Sequence, residues 1–296
     1  MIGGPTHGGN PPADTITFGI VAGQHNRTLA EMREQWQFAE ETGWDSAWAF
    51  DHFVSLRDDE MGPCLDGWTL LGGMAERTER VQMGLMVTGL THRNPAVLFK
   101  QAATVDHLSG GRLIFGIGAS WNDREHEAYG IEFPSPKVRV DRFGEAMEMF
   151  RQLETQERTT FEGEHYSLVN APFEPKPVFG HMPVLVGSRG KRMMRYIAKY
   201  ADQWDGNGSP EEYAEHSRRL DENCREIGRD PSEIRRGLTT DAGLESEDSF
   251  RQHVADYWAA GVRTFLARIP TGPVNQTLQN IAEKVIPELR EQYNGS

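Results

Sequence analysis

The stretch that decides the fold is residues 81–122, VQMGLMVTGLTHRNPAVLFKQAATVDHLSGGRLIFGIGASWN. It predicts a strand over residues 81–88, a helix opened by Asn94-Pro95, a Ser-Gly-Gly-Arg turn at residues 109–112, and a second strand that ends in residues 116–121. Two strands joined by one helix of about a dozen residues form a parallel βαβ unit. The glycines and the tryptophan at the end of the second strand indicate a ligand site.

The same alternation of a short apolar strand and an amphipathic helix recurs along the chain. Capping boxes at residues 28–31 and 209–212 begin two of the helices. Eight strand and helix pairs can be counted, which in a chain of 296 residues favours a closed (β/α)8 TIM barrel of the α/β class. The alternative is an open doubly wound sheet, but Gly116-x-Gly118 lacks the third glycine and the acidic residue of a dinucleotide site. The strands are predicted at residues 16–22, 44–50, 81–88, a segment ending in 116–121, 183–187, 201–206, 234–240 and 262–269.

One segment interrupts the alternation of strands and helices. Residues 159–182 contain Phe161, Tyr166, Phe173 and several prolines, which makes them too irregular for a core helix and too aromatic for a linker. We therefore predict an insertion near the C-terminal face of the barrel. Residues 1–14 are rich in glycine and proline and predict a flexible N-terminal tail, so residues 15–296 are expected to form a single domain.

Composition restricts the classes of partner. The chain has 31 Lys plus Arg against 44 Asp plus Glu, a formal net charge of −13, which would repel the phosphate backbone of a nucleic acid. The two cysteines, Cys64 and Cys224, are far apart in sequence and favour a reduced, cytoplasmic setting. No apolar run approaches the roughly 18 residues of a membrane helix, so no membrane association is expected. The sequence also lacks the spacing of a metal site, and none is predicted.

In a barrel of this kind the active site forms at the carboxyl ends of the strands. We single out His52, because an imidazole can give or take a proton near neutral pH, with Asp51 beside it to fix the tautomer. The alternative for His52 is a histidine that caps a loop. His25 either contacts the substrate or caps the first helix. The rule selects Gln24, His25, Asp51, His52, Thr88, Thr91, His92, Ser120, Trp121, Ser188, Arg189, Trp204, Asp205, Thr239, Asp241 and Arg268, of which His25, Trp204 and Arg268 are the candidates for substrate binding.

Two segments are suited to a cofactor. Gly187-Ser188-Arg189-Gly190 precedes a helix, whose free N–H groups and dipole can bind a phosphate, although a solvated basic face is the alternative. Gly116, Gly118 and Ala119 are small enough for a flat ring to approach the strand closely, or for a helix to pack on it. Trp121 could stack on the ring or simply pack.

The sequence resembles the bacterial luciferase-like superfamily of flavin- and deazaflavin-dependent oxidoreductases, which are (β/α)8 barrels. The resemblance lies in the identity and order of three segments: Asp51-His52-Phe53, residues 81–122 and Gly187-Ser188-Arg189-Gly190. The resemblance implies that His52 lies beside the reactive ring, as base or as substrate ligand. It also implies a bulge with a non-proline cis peptide behind the ring, around Leu85-Met86-Val87. The implied cofactor contacts are Leu85, Met86, Thr88, Gly118, Ala119, Trp121, Gly187, Ser188, Arg189 and Gly190.

The resemblance further implies hydride transfer between coenzyme F420 and a small organic substrate. The basic start of the helix after Gly190 suits the acidic glutamate tail of that coenzyme. An FMN-dependent monooxygenase, using reduced flavin and O2, is the nearest alternative on the same fold. Two alternatives lie outside redox chemistry: a sugar-phosphate isomerase type of barrel and a binding protein without turnover. They stay open because fold does not dictate function. Relatives commonly dimerise, so a homodimer is expected.

Overall fold

The computed structural model describes residues 11–12, 14–57 and 59–294. The tail predicted for residues 1–14 therefore lies almost entirely outside the described residues. Within them, no helix has both the length and the apolar character needed to cross a membrane.

Eight parallel strands form a closed barrel. They are hydrogen-bonded in the order β3-β2-β1-β8-β7-β6-β5-β4, and the pairing of Met83 and Gly84 with Leu113 and Ile114 joins β3 to β4 and closes the ring. The predicted (β/α)8 barrel is thereby confirmed. The strands are β1 Thr17–Val21, β2 Ser46–Ala49, β3 Gln82–Leu85, β4 Leu113–Gly118, β5 Val184–Gly187, β6 Gln203–Gly206, β7 Arg235–Thr240 and β8 Thr264–Arg268.

Helices connect the strands and cover the outside of the barrel. The two predicted capping boxes are present, with Thr28 capping α1 and Ser209 capping α7. The short α4 was not predicted. The helices are α1 Leu29–Glu41, α2 Gly67–Ala75, α3 Pro95–Leu108, α4 Asp123–Tyr129, α5 Pro136–Thr155, α6 Lys191–Tyr200, α7 Pro210–Glu226, α8 Glu247–Ala259, α9 Gln276–Asn280 and α10 Ile286–Asn294, with a π-helical turn at Ile281–Val285 between the last two.

The core has two layers because successive side chains of a strand point to opposite faces. Phe18 and Ile20 of β1 belong to the large cluster between strands and helices. Val21 of the same strand belongs to a small cluster that fills the barrel interior with Trp48, Ile114, Leu185 and Leu266. Side chains therefore plug the barrel, and a ligand can only enter at one of its ends.

The predicted insertion is a β-hairpin, Arg158–Glu162 with Ser167–Pro172, but its position differs from the prediction. It follows the carboxyl end of α5 and precedes the amino end of β5, and therefore belongs to the N-terminal face of the barrel. Glu145, halfway along α5, accepts hydrogen bonds from the N–H groups of His165 and Tyr166 at the hairpin tip. The expectation that this segment lies near the C-terminal face was wrong, because it joins a helix to the next strand, and such connections lie at the end of the barrel opposite the βα loops.

A charged cluster fixes the segment between the hairpin and β5. Nε2 of His181 lies 3.2 Å from Oδ2 of Asp202, and its Nδ1 lies 3.4 Å from Oε2 of Glu154. These hydrogen bonds, to Asp202 first and to Glu154 second, raise the pKa of His181 from 6.5 to about 9. A raised folded-state pKa contributes stability below the unfolded-state value, and that contribution is lost as the pH rises through about 9.

We therefore expect His181→Gln to lower the free energy of unfolding near pH 6, with a difference from the parent protein that shrinks as the pH rises to about 10. Urea unfolding of both proteins across this pH range measures it. His165→Gln is the matched control, since His165 holds Glu145 through its backbone N–H and not through its ring. A difference for His181→Gln that stays constant with pH would contradict this assignment.

Candidate active site

A cavity of about 410 Å³ opens at the carboxyl ends of the barrel strands. The loops after β2 to β6 and after β8 contribute to its lining, as the barrel rule predicts. The predicted site residues that line it are Asp51, His52, Met86, Thr88, His92, Gly118, Ala119, Ser120, Trp121, Gly187, Ser188, Asp205 and Arg268. The predicted residues outside its lining are Gln24, His25, Leu85, Thr91, Arg189, Gly190, Trp204, Thr239 and Asp241.

His52 is held by a carboxylate from a distant part of the chain. Its Nδ1 lies 3.0 Å from Oε1 of Glu125, and the Phe53 N–H donates to Oε2 at 2.6 Å. Burial raises the pKa of Glu125, but the hydrogen bonds from His52 and Phe53 outweigh this effect and lower it. The ionised carboxylate fixes the imidazole tautomer with its proton on Nδ1, which leaves Nε2 as the ring nitrogen available to a ligand.

The sequence predicted that Asp51 fixes the tautomer of His52, but Asp51 pairs with Arg93 instead. Two nitrogens of Arg93 contact its carboxylate oxygens at 2.6 and 3.1 Å. Burial raises the pKa of Asp51, but His92 and Arg93 hold it well below its ordinary value. Glu125 is the partner of His52 instead, because successive side chains of an extended segment point in opposite directions.

His92 lies between the two carboxylates. Its Nδ1 is 3.4 Å from Oδ2 of Asp51 and its Nε2 is 3.5 Å from Oε1 of Glu125, with only 3% of the side chain exposed. The Thr88 hydroxyl donates to Asp51 and accepts a hydrogen bond from the Trp68 indole at 3.0 Å. We call the resulting group the acid–histidine cluster, which comprises Asp51, His52, Thr88, His92, Arg93 and Glu125.

The sequence analysis missed Glu125. It stands three residues after Asn122, which caps α4, and a glutamate in that position ordinarily turns back to complete a capping box. Asn122 does accept from the Glu125 N–H at 3.4 Å, but the carboxylate turns to His52. The available signal was the place of this short polar helix, directly after β4 and therefore at the mouth of the barrel.

Gly116 and Gly118 have different environments. A Cβ at Gly116 would lie 1.9 Å from the carbonyl oxygen of Leu85, so this glycine allows close packing of the backbone. At Gly118 the nearest atom would be Cγ2 of Val87 at 3.0 Å, and Gly118 lines the cavity. The peptide between Met86 and Val87 is cis, at the position that the resemblance implied.

The loop before α6 lies at the edge of the cavity. No side chain caps this helix, whose N-cap is Gly190, and the Gly190 N–H is 3.3 Å from the Ser188 hydroxyl. Gly187 and Ser188 line the cavity, whereas Arg189 is exposed outside its lining. A helix start of this kind attracts anions through its unpaired N–H groups and its dipole.

The three predicted substrate residues lie in three different environments. Arg268 lines the cavity and is 44% exposed. Trp204 is fully buried, and its indole N–H donates to the Ser188 carbonyl at 2.8 Å, so it supports the loop without lining the cavity. His25 lines a neighbouring cavity of about 70 Å³. Thr28, and not His25, caps α1.

Trp121 and Asp205 complete the lining. Trp121 is 68% exposed and stands edge-on to His52, with ring centroids 5.8 Å apart. Burial raises the pKa of Asp205 to about 6, partly offset by the Thr239 hydroxyl that donates to it at 2.9 Å. Among the residues that the structure describes, no group of three or more His, Cys, Asp or Glu side chains is arranged to hold a metal ion.

Comparisons with known proteins agree on one family. The model of the luciferase-like monooxygenase family matches residues 15–296. The chain is 36% identical over 166 residues to an F420-dependent glucose-6-phosphate dehydrogenase of Amycolatopsis mediterranei, covering 55% of this chain and 49% of that protein. It is 32% identical over 278 residues to a phthiodiolone/phenolphthiodiolone dimycocerosates ketoreductase of Mycobacterium bovis, covering 83% and 72%. The chain thus spans about half the length of several curated relatives it matches.

The fold has close structural counterparts. A solved F420-dependent secondary alcohol dehydrogenase, in complex with an F420-acetone adduct, superposes with a TM-score of 0.79 at 20% sequence identity. The superposition covers 86% of this chain and 93% of that one. At this level of identity the likeness establishes the shared barrel.

Proposed function

The chain belongs to the luciferase-like monooxygenase family, and from that premise we propose that it is an oxidoreductase that transfers hydride between coenzyme F420 and a small alcohol or carbonyl compound. The observation that carries the proposal is His52 Nδ1, 3.0 Å from Glu125, at the wall of the cavity in the barrel mouth. A histidine oriented in this way is suited to the proton transfer that accompanies hydride transfer at a carbinol carbon.

The residues around the cavity fit the cofactor. Met86 and Val87 line one wall of the cavity, and Gly118 and Ala119 add small residues that a planar ring can approach closely. The N–H groups at the start of α6 suit a phosphate, since no side chain caps that helix. The exposed Arg189 and Lys191 beside this loop suit the acidic glutamate tail of F420.

Residues of the acid–histidine cluster accept and return the proton that moves in this reaction. The bound deazaflavin would supply the hydride acceptor or donor. In the oxidation direction, His52 Nε2 accepts the proton of the substrate hydroxyl, and Glu125 stabilises the imidazolium that forms. In the reduction direction, the same nitrogen returns the proton to the carbonyl oxygen. His92 and Phe53 hold the Glu125 carboxylate in place throughout.

Cofactor titration tests the proposal. We expect F420 to bind the purified protein and to be reduced or oxidised when alcohols or carbonyl compounds are added, as followed by the deazaflavin absorbance. FMN serves as the parallel titrant, because the same fold accommodates flavin enzymes. Tight binding of FMN without affinity for F420 would replace the proposal with the FMN-dependent monooxygenase, and binding of neither cofactor would remove redox chemistry altogether.

A further inference from the structure

A second cavity of about 70 Å³ adjoins the main one, and its charged lining residues are arginines. Met86 and Arg268 line both cavities, so a ligand in one can extend into the other. The lining includes three arginines, and none of its described residues is an aspartate or a glutamate. We call it the arginine pocket, which is lined by Val21, Gly23, His25, Arg27, Phe50, Arg57, Met86, Arg268, Ile269 and Thr271.

Arg27 gives the arginine pocket a fixed positive charge. Its guanidinium is 2% exposed and donates to the carbonyl oxygens of Gly23, Ile269 and Pro270 at 2.5 to 3.0 Å. Its Nε has no hydrogen-bond partner among the described residues. The neighbouring carboxylate of Glu31 accepts from Thr28 at the start of α1 and acts on Arg27 through its charge, with no hydrogen bond between the two side chains. A buried cation bound only to neutral carbonyls leaves its charge available to a nearby anion.

His25 adds a neutral donor. The Leu56 N–H donates to Nδ1 of His25 at 3.0 Å, so the ring proton of the neutral imidazole is on Nε2. Burial first, and then the charges of His52, Arg57 and Arg27, together lower the pKa of His25 to about 4. The ring, stacked on Phe50 with centroids 4.0 Å apart, is therefore a rigid donor in a positive field.

Arg57 and Arg268 share one exposed carboxylate. Nη2 of Arg57 lies 3.4 Å from Oδ1 of Asp241, and Nη1 of Arg268 lies 3.6 Å from Oδ2. Asp241 is 57% exposed, and a single solvated carboxylate at these distances neutralises neither guanidinium strongly. Both side chains are about half exposed, so they can turn to an anion that enters the pocket.

We propose that the arginine pocket is an anion subsite that holds a carboxylate or phosphate group of the substrate while the reacting carbon lies beside His52. The inference rests on the proposed function and adds the substrate class, which is an anionic alcohol or carbonyl compound. Arg57 and Arg268 contact the anion, and His25 donates a hydrogen bond to it. Arg27 contributes a buried positive charge. The subsite is distinct from the start of α6, where the cofactor phosphate is expected.

Inorganic phosphate, titrated calorimetrically at low ionic strength, is the probe. We expect Arg268→Met and Arg57→Met each to weaken its binding by about tenfold or more, the scale of one charge-assisted hydrogen bond. Asp241→Asn should tighten binding, because it removes the competing carboxylate. Arg251→Met is the matched control, since Arg251 is a partly exposed arginine that pairs with Glu288 at 2.7 Å and does not line this pocket.

Each possible outcome either supports or overturns the proposed anion subsite. Equal phosphate binding by the parent and all four variants would mean an adventitious ion, and no binding by the parent would mean no subsite; both overturn the proposal. Loss, at saturating F420, of the phosphate binding that depends on Arg57 and Arg268 would assign the arginine pocket to the cofactor and also overturn the proposal. Titrating F420 itself into Arg57→Met separates the two questions. Unchanged F420 affinity leaves the proposed function intact, whichever way the phosphate experiment turns out.

Discussion

Replacing His52 by glutamine should lower kcat by about a hundredfold or more, the usual scale for loss of a general acid or base, without a comparable loss of F420 affinity. Glutamine can still donate to Glu125, but it cannot accept a proton at the cavity wall. Steady-state kinetics with F420 and a reactive alcohol or carbonyl compound measures kcat, and fluorescence titration measures cofactor binding. His107→Gln is the control, because His107 lies on the outside of α3 against the Lys176 carbonyl.

A companion variant separates proton transfer from positioning. Glu125→Gln keeps an oxygen near His52 but removes the charge that stabilises the imidazolium, so its kcat should lie between those of the parent and His52→Gln. A fall of about tenfold to a hundredfold corresponds to the loss of one charged hydrogen bond. Parent-like turnover in His52→Gln would remove this residue from the mechanism, and parent-like turnover in Glu125→Gln would leave the histidine to act without its carboxylate.

Arg93→Met should destabilise the fold by about 3–5 kcal/mol, because it leaves the Asp51 carboxylate buried without its cationic partner. Oδ2 of Asp51 is 2.6 Å from Arg93, and the Asp51 side chain is fully buried. Urea unfolding at neutral pH measures the loss. Arg251→Met breaks an exposed pair with Glu288 and should cost less than about 1 kcal/mol.

The pH dependence of this loss has a definite sign. The pKa of Asp51 is held below its unfolded value, so its interactions stabilise the folded state above that value and cease to do so as the pH falls through the folded value. The cost of Arg93→Met should therefore be largest near neutral pH and shrink in acid, where the uncompensated carboxyl takes up a proton. A loss similar to that of Arg251→Met at neutral pH would show that the acid–histidine cluster does not depend on this ion pair.

Much of the site could be predicted from the sequence, because the carboxyl ends of the barrel strands lie close together and form the active site. His52, Trp121, Ser188 and Arg268 were selected by their places at the ends of predicted strands, and all four line one cavity. Trp204 met the same rule but is buried, since a strand-end side chain faces either the mouth or the surrounding layer. Predicted strand boundaries do not decide between these two faces.

The sequence by itself determined the alternation of strands and helices, the number of units and the presence of a histidine at the mouth, because hydrophobic periodicity and helix caps are local properties of the chain. Only the tertiary structure decided which carboxylate serves His52, since Glu125 is 73 residues away and reaches it through barrel closure and the turn of α4. The same holds for the arginine pocket, which joins residues 21–27 to residues 268–271. In each case the deciding contact joins segments whose proximity depends on packing, and no local pattern encodes it.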